Sequence, residues 1–125
     1  MLQAIPAAAA RWFVSSLDPA RFVHFYISDS ALSPRNFYYE ILSQLGVRPH
    51  FFRGDAKRQM AQELSKIIEA HKTPIVTIDE AHLCDREMLT EIRFLLNFKM
   101  DSYSPMGLII LGQSELRENL KKPIY

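Results

Sequence analysis

The stretch Pro74-Ile75-Val76-Thr77-Ile78 runs straight into Asp79-Glu80-Ala81-His82, and it restricts the fold more than any other part of the chain. A half-buried strand alternates apolar with polar residues. Residues 75–78 instead form a nearly unbroken β-favouring run, the pattern of a parallel strand covered on both faces. In open α/β sheets, ligands gather beyond the carboxyl ends of the strands, so this run delivers Asp79 and Glu80 to the place where such proteins do chemistry. Hydrolysis of a nucleoside triphosphate needs an acidic pair of this kind. Mg²⁺ takes hard oxygen ligands, and one protein carboxylate holds it, directly or through water, while it bridges the phosphates. Asp79 is the candidate for that role. Glu80, one position on and projecting elsewhere, is the candidate for orienting or deprotonating the attacking water. The bland alternative is a dipeptide that only closes a strand and opens a solvated turn.

At 125 residues the chain has the size of one domain with a sizeable core. Apolar residues make up 48% and charged residues 23%, so neither disorder nor a fibrous class is indicated. A net charge of +1 supplies no overall field that favours a polyanion. Cys84 is the only cysteine, which excludes an internal disulfide and a multi-cysteine metal site and suits a cytoplasmic setting. Residues 1–10 are apolar but broken by Pro6, with no basic residue ahead of them, which is not the pattern of a signal peptide. They are expected to be a non-native or disordered segment before a domain spanning 11–125, with the alanine run over residues 7–10 open to a second reading as a helix start. No other stretch approaches the ~20 apolar residues of a membrane span.

Along the chain, residues 11–17 read as the closing turns of a helix that Asp18-Pro19 breaks. Residues 22–27 read as a strand with Val23, Phe25 and Ile27 on one face and His24 and Tyr26 on the other. Ser33-Pro34 opens a helix whose inner stripe is Phe37, Tyr38, Ile41, Leu42 and Leu45, with Gly46 placed to cap its end. Asp55 is expected to cap a second helix with Met60, Leu64, Ile67, Ile68 and His71 inward and Lys57, Arg58, Glu63 and Lys66 in solvent. Asp85 is expected to cap a third, with Met88, Leu89, Ile92, Leu95 and Leu96 inward, followed by a polar loop over 97–105. Residues 108–111 form a second buried strand, and Ser114 caps a last short helix that Pro123 stops. This alternation predicts parallel strands joined by right-handed crossovers in a layered α/β domain.

Val76-Thr77-Ile78-Asp79-Glu80-Ala81-His82, then residues 93–102 (RFLLNFKMDS), then residues 108–117 (LIILGQSELR), together resemble one family. The chain is similar to AAA+ ATPases of the general secretion pathway protein A type, which include ATPases encoded beside transposases in bacterial insertion sequences. The likeness runs over most of the chain from about Arg11. It implies a three-layer P-loop NTPase-like parallel sheet with flanking helices. It also implies that Asp79 and Glu80 are the Walker B pair and that Gln113 is the sensor 1 residue. A neutral amide at a strand end can both donate to a γ-phosphate oxygen and accept from the attacking water, although Gln113 equally suits a strand cap. Arg117 matches a family position but fits a surface arginine as well. ATP and Mg²⁺ are the cofactors implied, with transposase and DNA, or secretion components, as partners.

One part of the family pattern is missing. A phosphate loop needs Gly-x-x-x-x-Gly-Lys-Ser/Thr, and none of Gly46, Gly54, Gly107 and Gly112 is followed by lysine. The chain is therefore expected to be the middle of a nucleotide-binding domain, lacking the first strand and the helical lid, unable to hydrolyse ATP alone and holding no nucleotide tightly. Residues 108–111 would then be an uncovered edge that recruits another strand, and self-association as a dimer or higher is expected. Two rivals remain open on sequence alone: a DEAH-type helicase fragment, and a non-catalytic α/β interaction module. His24, His50 and His71 are expected to be packed or solvent-facing rather than ligands, and Cys84 a small buried thiol. Arg53, Lys57 and Arg58 suit either a phosphate backbone or a solvated face.

Overall fold

The computed structural model describes residues 7–28, 32–81, 84–101 and 107–111. In chain order these form α1 (Ala7–Ser15), β1 (Phe22–Ser28), α2 (Pro34–Gln44), α3 (Arg53–Glu69), β2 (Thr73–Asp79), α4 (Arg86–Asp101) and β3 (Gly107–Ile110). The strands make one parallel sheet in the order β1-β2-β3, with Phe25 opposite Val76, Ser28 opposite Asp79, and Ile78 opposite Ile110. Among the described residues this is a three-stranded parallel sheet with flanking helices, an α/β arrangement of the P-loop NTPase-like kind.

β2 is central, which is why its apolar run is unbroken: residues 74–78 are all buried. Pro74 is tolerated there for a directional reason. The Thr73 N–H donates to Arg21 O, toward β1. Successive residues of a strand point their amides to opposite sides, so the N–H that Pro74 lacks would face β3, and β3 begins only at Gly107, opposite Ile75. A Cβ on Gly107 would come within 3.1 Å of Ile75 Cγ1, so the glycine lets the two strands approach.

One sheet face carries the core. Phe25, Ile27, Val76, Ile78 and Ile110 pack with Phe37, Tyr38, Ile41 and Leu42 of α2, Ala56, Met60 and Leu64 of α3, and Met88 and Ile92 of α4. Burying each large apolar side chain contributes ~1.5–3 kcal/mol, and this layer holds most of them. The opposite face presents His24, Tyr26, Ile75, Thr77 and Asp79, and α1 brings the Arg11 charge within reach of Tyr26 on it.

The helix signals at two starts hold. Ser33 Oγ accepts the Asn36 N–H with Pro34 at the first position, and Asp85 Oδ1 accepts the Met88 N–H at 2.9 Å. Four details differ from the expectations. α1 opens at Ala7, so residues 7–10, set apart from the domain by composition, are helical, and Ala10 is buried. α3 begins at Arg53 with Phe52 in the cap position, and Asp55, inside the first turn where a carboxylate suits the helix dipole, pairs with Arg58. His71 lies beyond α3, exposed and with φ of +62°, rather than on the apolar stripe. α4 runs on to Asp101 through most of the stretch expected as loop, because neither glycine nor proline interrupts the sequence before Pro105. The expected last helix and its Ser114 cap lie outside the described residues.

Candidate functional site

β2 ends at Asp79, whose carboxylate is gripped at both oxygens. The Tyr26 hydroxyl donates to Oδ2 at 2.5 Å, and the Glu80 backbone N–H donates to Oδ1 at 2.8 Å. The first contact follows from strand register. Tyr26 stands opposite Thr77, and Asp79, two residues further on, shares its face, so the long phenol reaches its diagonal neighbour. The same diagonal recurs one step down. His24 stands opposite Ile75, and its Nε2 lies 2.8 Å from Thr77 Oγ1. A polar ladder therefore climbs this face toward the carboxylate.

The electrostatics follow from these contacts. Burial lowers the His24 pKa below its ordinary value. The Tyr26 hydroxyl is pushed up, first by its hydrogen bond to Asp79, then by desolvation and by the carboxylate's charge, while Ser28 and Arg11 act the other way. Asp79 is only partly buried and meets solvent at the strand tip. Each of its oxygens has a lone pair beyond the one engaged, so it can give a hard cation an oxygen ligand while keeping both hydrogen bonds. Among the described residues no three of His, Cys, Asp and Glu gather around one point. A single carboxylate suits a hard cation such as Mg²⁺, which keeps waters and substrate phosphate oxygens among its ligands.

Glu80 turns the chain. It is exposed and has φ of +55°, a left-handed conformation that costs a residue with a Cβ roughly 1–2 kcal/mol. Hydrogen bonds on either side hold it. Leu111 N–H donates to Ile78 O at 2.8 Å, and Ala81 N–H donates to Leu111 O at 2.9 Å. Leu111, just past β3, thus clasps the residues before and after the Asp79-Glu80 pair and fixes the two strand tips side by side. Ala81, fully buried, anchors the far end of the turn.

Asp79 and Glu80 therefore sit together at the carboxyl end of the central strand. Gln113, two residues past Leu111, lies outside the described residues, as do His82 and Arg117. Tyr26 is the residue that sequence reading missed. Its polar-face position was visible, but its reach to Asp79 depends on the pairing of strands 53 residues apart. The other candidates are accounted for structurally. His50 and His71 are exposed, and Cys84 is a partly buried thiol packed against the core. Each cation of the basic cluster has a carboxylate: Arg53 pairs with Glu87, Lys57 with Glu91 and Arg58 with Asp55. A solvated, ion-paired surface accounts for them.

Comparison with known families shows that a family model described as AAA domain matches residues 8–120. No curated protein matches the chain.

Proposed function

The chain belongs to the AAA domain family and is a nucleotide-binding, ATPase-like module; on that premise we propose that Asp79 and Glu80 are its metal and water carboxylates. The observation that best supports this reading is the two-point grip on Asp79 at the tip of the central strand, with Glu80 turned out of the strand direction by its left-handed backbone. Asp79 holds the cation side of Mg-ATP. Glu80 would accept a proton from the attacking water or orient it, and Gln113, two residues past Leu111 in the sequence, would contact the γ-phosphate. Mg²⁺, when bound, neutralises the charge that builds on the phosphate oxygens.

This sequence contains no Gly-x-x-x-x-Gly-Lys-Ser/Thr, so the chain by itself offers no backbone nest for the triphosphate, and turnover requires that element from the same protein. The wider role we assign is energy supply for transposition- or secretion-related assembly in the cytoplasm, with self-association through the β3 edge. Among the described residues, no helix is long and apolar enough to cross a membrane. The missing phosphate-loop motif also favours a second reading, a non-catalytic interaction module that keeps the fold.

Titration of the chain with a fluorescent ATP analogue, in excess Mg²⁺ and again in EDTA, separates the two. Mg²⁺ is expected to tighten binding by about tenfold, and Asp79→Asn to remove that gain while leaving metal-free binding unchanged. A Mg²⁺ effect equal in the variant and the parent chain contradicts the role given to Asp79.

A further inference from the structure

Asp79 is held by a residue that is itself held. The Gln44 side chain, at the end of α2, bridges the outer backbone edge of β1 at one residue: Gln44 Nε2 donates to Tyr26 O at 2.8 Å, and Tyr26 N–H donates to Gln44 Oε1 at 3.3 Å. The amide thus fills both backbone positions that a further strand would fill, and it pins β1 at Tyr26. From that fixed point the Tyr26 hydroxyl reaches across to Asp79 Oδ2. A carboxylate anchored only through Oδ1 by the Glu80 N–H would be free to rotate about its Cβ–Cγ bond. The second hydrogen bond stops that rotation. Tyr26 is 48% exposed, so burial of its ring does not explain the placement of a tyrosine, whereas its hydroxyl contact does.

We infer that Tyr26, backed by Gln44, is a positioning residue that fixes the Asp79 carboxylate for a divalent cation. The inference rests on the reading of Asp79 as the metal carboxylate. Groups that orient a liganding carboxylate typically contribute 10–100-fold in metal affinity without touching the ion. Tyr26 acts through Asp79 in this way and has no role in the chemical step itself.

The test uses the chain with ¹⁵N-labelled backbone and ¹³C-labelled tyrosine, titrated with Mn²⁺ alone and watched by NMR. In the parent chain, paramagnetic broadening is expected to centre on the amides of Asp79 and Glu80, and Asp79→Asn is expected to abolish it. Tyr26→Phe, which removes one oxygen from a half-exposed ring, is expected to need roughly tenfold more Mn²⁺ for the same broadening. Gln44→Ala is expected to give a smaller shift in the same direction. A parallel titration of the unmutated chain with diamagnetic Mg²⁺ needs no variant: the Tyr26 ring carbon bearing the hydroxyl should shift along the same binding curve as the Asp79 amide. A Tyr26→Phe chain that titrates as the parent does, or a Tyr26 ring carbon that stays still while Asp79 shifts, overturns the inference and leaves Asp79 in place. Broadening that survives Asp79→Asn instead removes Asp79 as the ligand, and the positioning role goes with it. A lowered unfolding midpoint with an unchanged Mn²⁺ curve makes Tyr26 purely structural.

Discussion

His24 and Asp79 stand at the two ends of one polar ladder, and burial makes the His24 end sensitive to pH. The folded pKa of His24 lies below its unfolded value of 6.5 because burial disfavours the charged ring. As pH falls through the unfolded value, the unfolded chain takes up a proton that the folded chain refuses, so stability is full above that pH and declines below it. Melting temperature should therefore drop between about pH 7.5 and about pH 5.5, and His24→Asn should flatten the drop. An identical decline in the variant contradicts the burial account. The same ladder shows what a linear sequence can and cannot disclose. Asp79 and Glu80 were readable because a β-branched run followed by carboxylates is a local pattern. Tyr26 was not, because its contact is fixed by register, and neither was the left-handed backbone of Glu80, which the Leu111 clasp imposes from another strand.

Helix ends give a matched pair of cases. Gly46 and His71 occupy the same position after α2 and α3, both with positive φ. In each, two hydrogen bonds close the helix: Gly46 N–H to Ser43 O and Val47 N–H to Leu42 O after α2, then His71 N–H to Ile68 O and Lys72 N–H to Ile67 O after α3. Glycine announces such a position and histidine does not, which is why the first ending was legible and His71 was assigned to an apolar stripe. A Cβ at Gly46 would meet nothing within 4 Å, so Gly46→Ala should cost only the conformational strain, ~1 kcal/mol. His71→Gly should move stability the other way, by up to ~1 kcal/mol. Urea unfolding of the two variants checks this, and changes of the same sign would contradict it. The α4 terminus was misjudged for a related reason. Polar residues after Leu96 suggest a loop, but polarity does not end a helix; a missing N–H or a glycine does, and the sequence has neither between Arg86 and Pro105.

The sheet order decides which strand edges are covered among the described residues. β2 is flanked on both sides and carries the carboxylates. β1 has its outer edge bridged at Tyr26 by Gln44, while β3 has no second strand beside it among the described residues. Strand composition reveals that β2 is buried and that the strands are parallel, whereas β3, also expected to be buried, is half-buried at Leu108 and Ile109, and the strand order comes from pairing. The edge position of β3 was reached only through the family resemblance. An unpaired apolar edge recruits a partner strand, so sedimentation velocity should show a concentration-dependent dimer or larger species. A single monomeric boundary at every concentration contradicts pairing through β3.

The role of the acidic pair itself rests on separating nucleotide binding from turnover. In a protein that carries this domain together with a phosphate loop, Glu80→Gln keeps the size and hydrogen-bonding reach of the side chain and removes its capacity as a base. ATP binding should stay at the parental level while hydrolysis falls by at least about 10²-fold. Hydrolysis at the parental rate in that variant would contradict the assignment of Glu80 and, with it, the reading of this strand tip as the place where ATP is cleaved.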